Sequence, residues 1–374
     1  MVFLINIAML QNIFSEAMAY LPILAVTFVL CLLILTKSIQ YFSRSAIYFL
    51  FCIGIFLCGT FILEIVYRSY LSANLTYANA LCAVVFIMGY SSGDKISSED
   101  IRKIFLFYIL GTLIVSVIVY LRFYVGFQWG LRYSEYKFRG QLSQSIMFSV
   151  FAMITIVKFN SKFLKIIKGV LYAFFSILLL MMKCRAALVE IVIGIIVMFF
   201  FKGTSKKVKR TILALIIAFF VVLLFKSDLQ QIIINDVLFY GRDMSDLDDI
   251  SSGRMTILAS FPDLWTGHEL TGIGNYYFEC FPLNALLQYG IFVGSIAIII
   301  GYYPALWILK NRHFILDKEL CVFFLMSSIA SVVCGFFEAI APVGPGIKFF
   351  FLWMMFGILM SKQDMSQKRI IIDE

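Results

Sequence analysis

Residues 206–225 read KKVKRTILALIIAFFVVLLF: a basic start, then fifteen residues from Thr211 to Phe225 without a charge. In hydrocarbon every backbone polar group must be paired inside the segment, so a run of this kind reads as a membrane-spanning helix, which needs about 20 mostly apolar residues. Working outward, the same reading applies to eleven stretches, roughly 17–36, 45–67, 72–90, 103–124, 142–158, 165–182, 184–201, 209–225, 283–308, 318–338 and 346–361. Residues 2–14 are too short to span alone. They read as an interfacial helix or as part of an extra hairpin, which sets the range at ten to twelve spans. No alternating strand pattern is present, so the expected fold is an all-α polytopic membrane protein. Its organisation is helices 1–8 over 1–225, one large loop over 226–282, and helices 9–11 with a tail over 283–374.

Composition agrees. The chain of 374 residues is 62% hydrophobic and 14% charged, with a mean hydropathy of +0.95. Soluble domains run about 45–50% apolar and about 25% charged, so a soluble enzyme, a disordered chain and a disulfide-stapled secreted domain are excluded. The eight cysteines form no CxxC pair. Most lie in apolar runs, where Cys acts as a small hydrophobe; Cys280 reads as a loop residue and Cys184 as a helix end. No basic n-region or A-x-A site marks a cleaved signal, so the first apolar segment is expected to be retained. No P-loop, G-x-G-x-x-G or H-E-x-x-H is present, so no cofactor and no metal is expected.

The net charge of +9 acquires meaning when it is placed across a bilayer. The loops after spans one, three, five, seven and nine, with the C-terminal tail, hold 20 of the 31 Lys and Arg. The positive-inside rule puts that lysine-dominated side, and the C-terminus, in the cytoplasm; a nucleic-acid partner is not implied. The outer side holds Arg68, Arg122, Arg132, Lys137, Arg139, Lys183, Arg185, Lys226, Arg242, Arg254 and Lys348, seven Arg to four Lys. Guanidinium is the group for bidentate phosphate or carboxylate recognition. The plainer reading of any one of these is snorkelling to headgroups. That reading is weakest for Arg185, which opens a strongly apolar helix among small residues.

Two loops carry the remaining signals. The one after span four runs from Tyr120 through Arg122, Tyr124, Trp129, Arg132, Tyr133, Glu135, Tyr136 and Lys137 to Arg139; its aromatics suit either sugar stacking or an interface belt. The loop 226–282 carries three cations against nine carboxylates, net −6, with eight aromatic residues. A connection this long without regular structure is more often functional than a mere tether. Its Asp246-Leu-Asp248-Asp249 run suits a divalent cation through oxygen ligands. The better reading is an acidic turn leading to a helix cap at Ser251/Ser252.

Three stretches resemble the O-antigen polymerase/ligase superfamily of polytopic glycosyltransferases. Phe138-Arg139-Gly140-Gln141-Leu142-Ser143-Gln144-Ser145 is similar to its Arg-Gly step into a helix after an outer loop. Lys183-Cys184-Arg185-Ala186-Ala187-Leu188 is similar to its Ser-Arg-small-small-Leu helix start. Ser252-Gly253-Arg254, then Gly272-Ile273-Gly274, then Tyr289-Gly290 to Gly294 follow the order of its large loop. The likeness covers roughly 135–300. Ligases of the family commonly carry a His eleven residues before the Gly of that last helix; here the position is Glu279, and the nearest His is His268. That departure favours the Wzy-type polymerases over the ligases.

The resemblance implies a GT-C-like architecture in a bacterial inner membrane. It implies polymerisation of undecaprenyl-diphosphate-linked oligosaccharide repeats into O-antigen or capsule on the outer face. The partners it implies are that lipid-linked glycan, membrane lipids, a chain-length regulator and a flippase. Under it, Arg185, Arg254, Arg139, Arg132 and Arg242 are the diphosphate-binding candidates, in that order. Glu279, His268 and Glu135 are the candidate bases for the acceptor hydroxyl. The alternatives are an O-antigen ligase, a flippase or transporter of lipid-linked glycan, and a non-enzymatic scaffold. A transporter favours charges deep within spans, and here mid-span acids reduce to Glu64, Glu190 and Glu338.

Overall fold

The structure is a computed structural model, and it describes residues 2–15, 18, 20–35, 42–67, 73–129, 136–159, 161–201, 204–239, 245–251, 253–274, 276–338 and 349–373. It is all-helical, 81% helix, with no strand among the described residues. The helices are α1 (Val2–Ile7), α2 (Tyr20–Leu35), α3 (Arg44–Tyr67), α4 (Ala73–Gly93), α5 (Ser98–Val119), α6 (Arg139–Thr155), α7 (Lys162–Met181) and α8 (Arg185–Phe200). They continue with α9 (Lys206–Phe225), α10 (Ser227–Gln231), α11 (Leu247–Ser251), α12 (Arg254–Ala259), α13 (Phe261–Trp265), α14 (Phe281–Asn311), α15 (Lys318–Cys334) and α16 (Phe350–Asp373). Each of the eleven apolar stretches contains one of the longer helices. Among the described residues, five helices are long and apolar enough to cross a membrane: Arg44–Ile65, Ser98–Tyr124, Lys162–Met181, Lys206–Phe225 and Phe281–Asn311.

Large apolar side chains such as Phe28, Phe51, Phe61, Phe200 and Phe225 face outward. So much exposed apolar surface needs a lipid or protein cover, and the molecule is compatible with a membrane-embedded protein. α9 is the extreme case: none of its apolar window is buried by the rest of the chain. Where lipid surrounds a bundle, hydrophobicity does not favour one helix over lipid tails, so close packing through small residues must hold helices together. α4 and α16 do this. A Cβ on Gly89 would lie 2.2 Å from the Met354 carbonyl oxygen, and one on Gly357 would lie 2.3 Å from that of Phe86. Around this seam Phe49 stacks on Trp353 and Tyr303, and Phe324 stacks on Phe356.

Three expectations change, and residues 2–10 gain a setting: none of them is exposed. α1 is folded into the core beside α5, where buried Asn6 donates from Nδ2 to the Tyr108 carbonyl and the Thr112 hydroxyl, both at 3.2 Å. Next, 226–282 is not irregular: α10 to α13 and a π-helix over Ile232–Leu238 run through it. Cys280 is buried rather than a polar loop residue.

Finally, the ninth stretch is not one straight helix. Gly290 (φ 72°, ψ 178°) breaks α14, and a Cβ on Gly294 would lie 2.5 Å from the Ala285 carbonyl oxygen. Nine residues of straight helix would separate those positions by about 13 Å, so Phe281–Tyr289 folds back on the helix that follows.

The helix ends sort into two groups. At one end Lys158 and Arg102 both meet Glu319. Lys209 donates to the Phe199 and Phe201 carbonyls, Lys168 to that of Val157 and Lys362 to that of Ile96. These lysines satisfy carbonyls left open near helix ends. At the other end are the starts of α6, α8 and α14 and the large loop.

Candidate functional site

α8 begins immediately after a tight turn in which Lys183 takes a left-handed backbone (φ 50°). That turn sets Arg185 at the first helical position, half-buried and facing the large loop. Its Nη1 donates to two loop carbonyls, Leu238 at 3.3 Å and Ile250 at 3.2 Å. One guanidinium thus clasps the end of the π-helix to the end of α11. The small residues that follow, Ala186 and Ala187, let α8 approach its neighbours closely.

Beyond α11 the chain turns through Gly253, which takes a left-handed conformation (φ 76°). Asp248 fixes this turn: its carboxylate accepts the Thr256 N–H at 2.9 Å and the Thr256 hydroxyl at 2.7 Å. These bonds hold its carboxyl below the usual carboxylate range. The Ser251 hydroxyl accepts the Met255 N–H at 3.2 Å. The acidic run therefore serves as the cap of α12, with Asp248 taking most of that task; Ser252 lies outside the described residues.

The turn delivers Arg254. Its Nη1 reaches the Ser251 carbonyl at 3.5 Å, next in sequence to the Ile250 carbonyl held by Arg185. Two guanidiniums from elements 69 residues apart therefore converge on consecutive carbonyls at the C-terminal end of α11. On its other side the Arg254 Nε lies 2.8 Å from Glu279 Oε2, an ion pair whose side chains keep 27% and 30% of their exposure. The N–H does not point along this contact, so neither atom makes a directed hydrogen bond.

Glu279 is held by the loop's own core. Phe278, Cys280 and Leu287 are buried there under Ile257, Phe261, Leu264, Trp265, Ile273 and Leu283. The Phe278 N–H donates to Asn284 Oδ1 at 2.8 Å, and Gln288 Nε2 donates to the Tyr276 carbonyl at 2.7 Å. The break at Gly290 lets the Ile291 N–H reach the Glu269 carbonyl, and the Ile273 N–H reach that of Leu287, each at 2.7 Å. A Cβ on Gly290 would lie 2.1 Å from the Leu270 carbonyl oxygen. Here loop backbone crosses helix backbone with no room for a side chain.

The structure brings Arg185, Arg254 and Glu279 together. Arg139 opens α6 with its side chain exposed, within electrostatic reach of the Tyr124 hydroxyl, as is Cys184. His268 is exposed, and its carbonyl accepts the Gly272 N–H. Arg132, Arg242 and Glu135 lie outside the described residues. Of the aromatic cluster, Tyr124 and Tyr136 are core residues, and the Tyr136 hydroxyl donates to the Met9 carbonyl at 3.0 Å. Those two are neither a sugar platform nor a lipid belt.

One pair escaped the sequence reading. Gln144 on α6 donates from Nε2 to both carboxylate oxygens of Glu190 on α8, at 3.1 and 2.8 Å, and each residue is 2% exposed. Each sits five positions inside the Arg that opens its helix, Arg139 and Arg185. That shared offset is the signal a sequence could have given. Among the described residues no group of three or more His, Cys, Asp or Glu could hold a metal ion. No family model matches this chain, and no curated protein matches it.

Proposed function

We propose that this chain is a polytopic glycosyltransferase that polymerises undecaprenyl-diphosphate-linked oligosaccharide repeats into surface polysaccharide, O-antigen or capsule. On this reading its eleven helical segments are spans in a GT-C-like arrangement in a bacterial inner membrane. The lysine-rich end and the C-terminus are cytoplasmic, and the arginine-rich end faces outward. The observation that carries the reading is the convergence of Arg185 and Arg254 at the end away from the lysines. The plainer account is that both arginines merely cap the carbonyls of α11. It leaves unexplained why two guanidiniums and a carboxylate meet in the loop that also carries the resemblance to the O-antigen polymerases.

The chemistry is simple in outline. An acceptor hydroxyl attacks the anomeric carbon of the growing chain. The bond from that carbon to the lipid diphosphate oxygen breaks, and the hydroxyl proton passes to a base. Negative charge grows on the departing diphosphate, and preplaced donors aimed at growing charge are usually the largest catalytic factor. A hydrogen bond to a charged group contributes about 1.5–3 kcal/mol, so Arg185 and Arg254, with Arg139, supply a large share of the activation.

The test is deletion of the gene followed by electrophoresis of surface polysaccharide. The expected product is a lipid anchor carrying a single repeat. Complete loss of surface glycan would instead fit a ligase or a flippase and would overturn the proposal.

A further inference from the structure

We propose that Glu279 is a displaceable internal anion: it occupies the seat of a phosphoryl group on Arg254 and thereby sets which anions the site admits. This rests on the reading of the site as a binder of lipid diphosphate.

The ion pair has the geometry of an occupied but loose seat. Glu279 Oε2 is 2.8 Å from Arg254 Nε, both atoms are closed off from solvent, and the N–H is not aimed along the contact. The attraction is therefore that of charges without a well-made fork, and an anion that meets the fork squarely binds better. The Glu279 backbone and the Arg254 guanidinium are both held in place. Phe278 and Cys280 on either side of Glu279 are buried, and Asn284 holds the Phe278 N–H. Arg254 is held from behind through the Ser251 carbonyl. Only the Glu279 side chain has to swing away to free the seat.

Charge then decides what replaces it. Arg254 and Glu279 already balance one another. A carboxylate or a phosphodiester offers one negative charge, which returns to Arg254 only what Glu279 already gives. A diphosphate offers at least two charges and enough oxygens to meet Arg254 and Arg185 together, since both guanidiniums address consecutive carbonyls. Glu279 thus excludes singly charged headgroups and admits the diphosphate. This task differs from taking the acceptor's proton, and it leaves His268 and Glu135 as the base candidates.

The test uses the full-length chain in phosphatidylcholine nanodiscs, with farnesyl diphosphate as the probe and phosphatidylglycerol as the singly charged competitor. Glu279→Gln is expected to tighten farnesyl diphosphate binding about tenfold, a gain of roughly 1.4 kcal/mol, and to let phosphatidylglycerol compete. Arg254→Gln, alone or combined with Glu279→Gln, is expected to bind more weakly than the wild type and to show no such gain. Unchanged or weaker binding by a Glu279→Gln protein that melts with the wild type overturns the proposal, as does a gain that survives loss of Arg254. Should Glu279→Gln not accumulate, Glu279→Asp, which draws the carboxylate back by one methylene, must also tighten binding. If neither the wild type nor any variant binds farnesyl diphosphate, the proposed function falls with this inference. If the wild type binds and neither Glu279 variant responds, only the role of Glu279 falls.

Discussion

Arg185 combines a charge with a shape, and substitution separates them. Arg185 bridges the Leu238 and Ile250 carbonyls through one nitrogen, Nη1, a task an ammonium can share, as Lys209 does for two carbonyls at the other end. What Lys lacks is the planar fork that meets a diphosphate. Arg185→Lys is expected to leave protein level near normal and to abolish long glycan chains on a gel. Full activity in Arg185→Ala would remove this residue from the site. Asp248 makes a pH prediction of the same grain. Its folded carboxyl is held below its ordinary value by Thr256, and Glu269 is likewise held down by the Gly267 N–H. A depressed carboxyl stabilises the fold above its unfolded value and ceases to do so as pH falls through the folded one. Loop protection against protease should therefore be flat from neutral pH to about pH 5 and fall below about pH 4, and Asp248→Asn should remove most of that dependence. Residue types announced these roles unevenly. The arginine-rich set of cations singled out Arg185 and Arg254, which reach consecutive carbonyls of α11. The partner of Arg254 lies 25 residues away and that of Glu190 lies 46 away, and no periodicity connects residues across such gaps.

Elements were legible where hydropathy alone decides them and illegible where a single backbone angle does. All eleven apolar stretches are helical because an apolar run must satisfy its own backbone, whatever its neighbours are. The break in α14 depends on a positive φ at Gly290, and hydropathy carries no information about φ. The five- and six-residue helices of the large loop are too short for a 3.6-residue pattern to declare itself. α1 is invisible as a core element because burial against α5 is a tertiary fact. The glycines turn these contrasts into measurements. Gly290→Ala faces about 1–3 kcal/mol for a backbone of positive φ and extended ψ that is essentially glycine's alone and a Cβ 2.1 Å from a carbonyl oxygen, so it should melt well below the wild type in detergent. Gly89→Ala should cost about 1–3 kcal/mol through overpacking against α16. Gly54→Ala, on α3 with nothing within 4 Å of its new Cβ, should be neutral or gain at most about 1 kcal/mol. Equal melting of the three variants would mean that neither the break nor the α4–α16 seam is as tight as described.

At the scale of the whole molecule, the two ends use different cations for different physical tasks. The lysines at one end close helix carbonyls, and Lys158 pairs with Glu319 on the rim. The arginines at the other end reach across a folded loop. Sequence counting already separated these sets, because the sign and side of charge survive in a linear chain even when contacts do not. The separation predicts an orientation that can be measured without knowing the substrate. Ser245, in the large loop, and Glu99, on the rim, are both exposed. In a background with the eight native cysteines replaced, Ser245→Cys should react with a membrane-impermeant maleimide in intact spheroplasts, and Glu99→Cys only after lysis. The exposed native Cys31 and Cys58 lie on α2 and α3. If their surroundings are lipid, these thiols in the unmutated chain should resist the reagent in both conditions, because a membrane-impermeant maleimide does not enter hydrocarbon. Labelling of Glu99→Cys in intact spheroplasts would invert the molecule. The Arg185–Arg254 pair would then face the cytoplasm, and a polymerase acting on the outer face would be excluded however well the arginines fit a diphosphate.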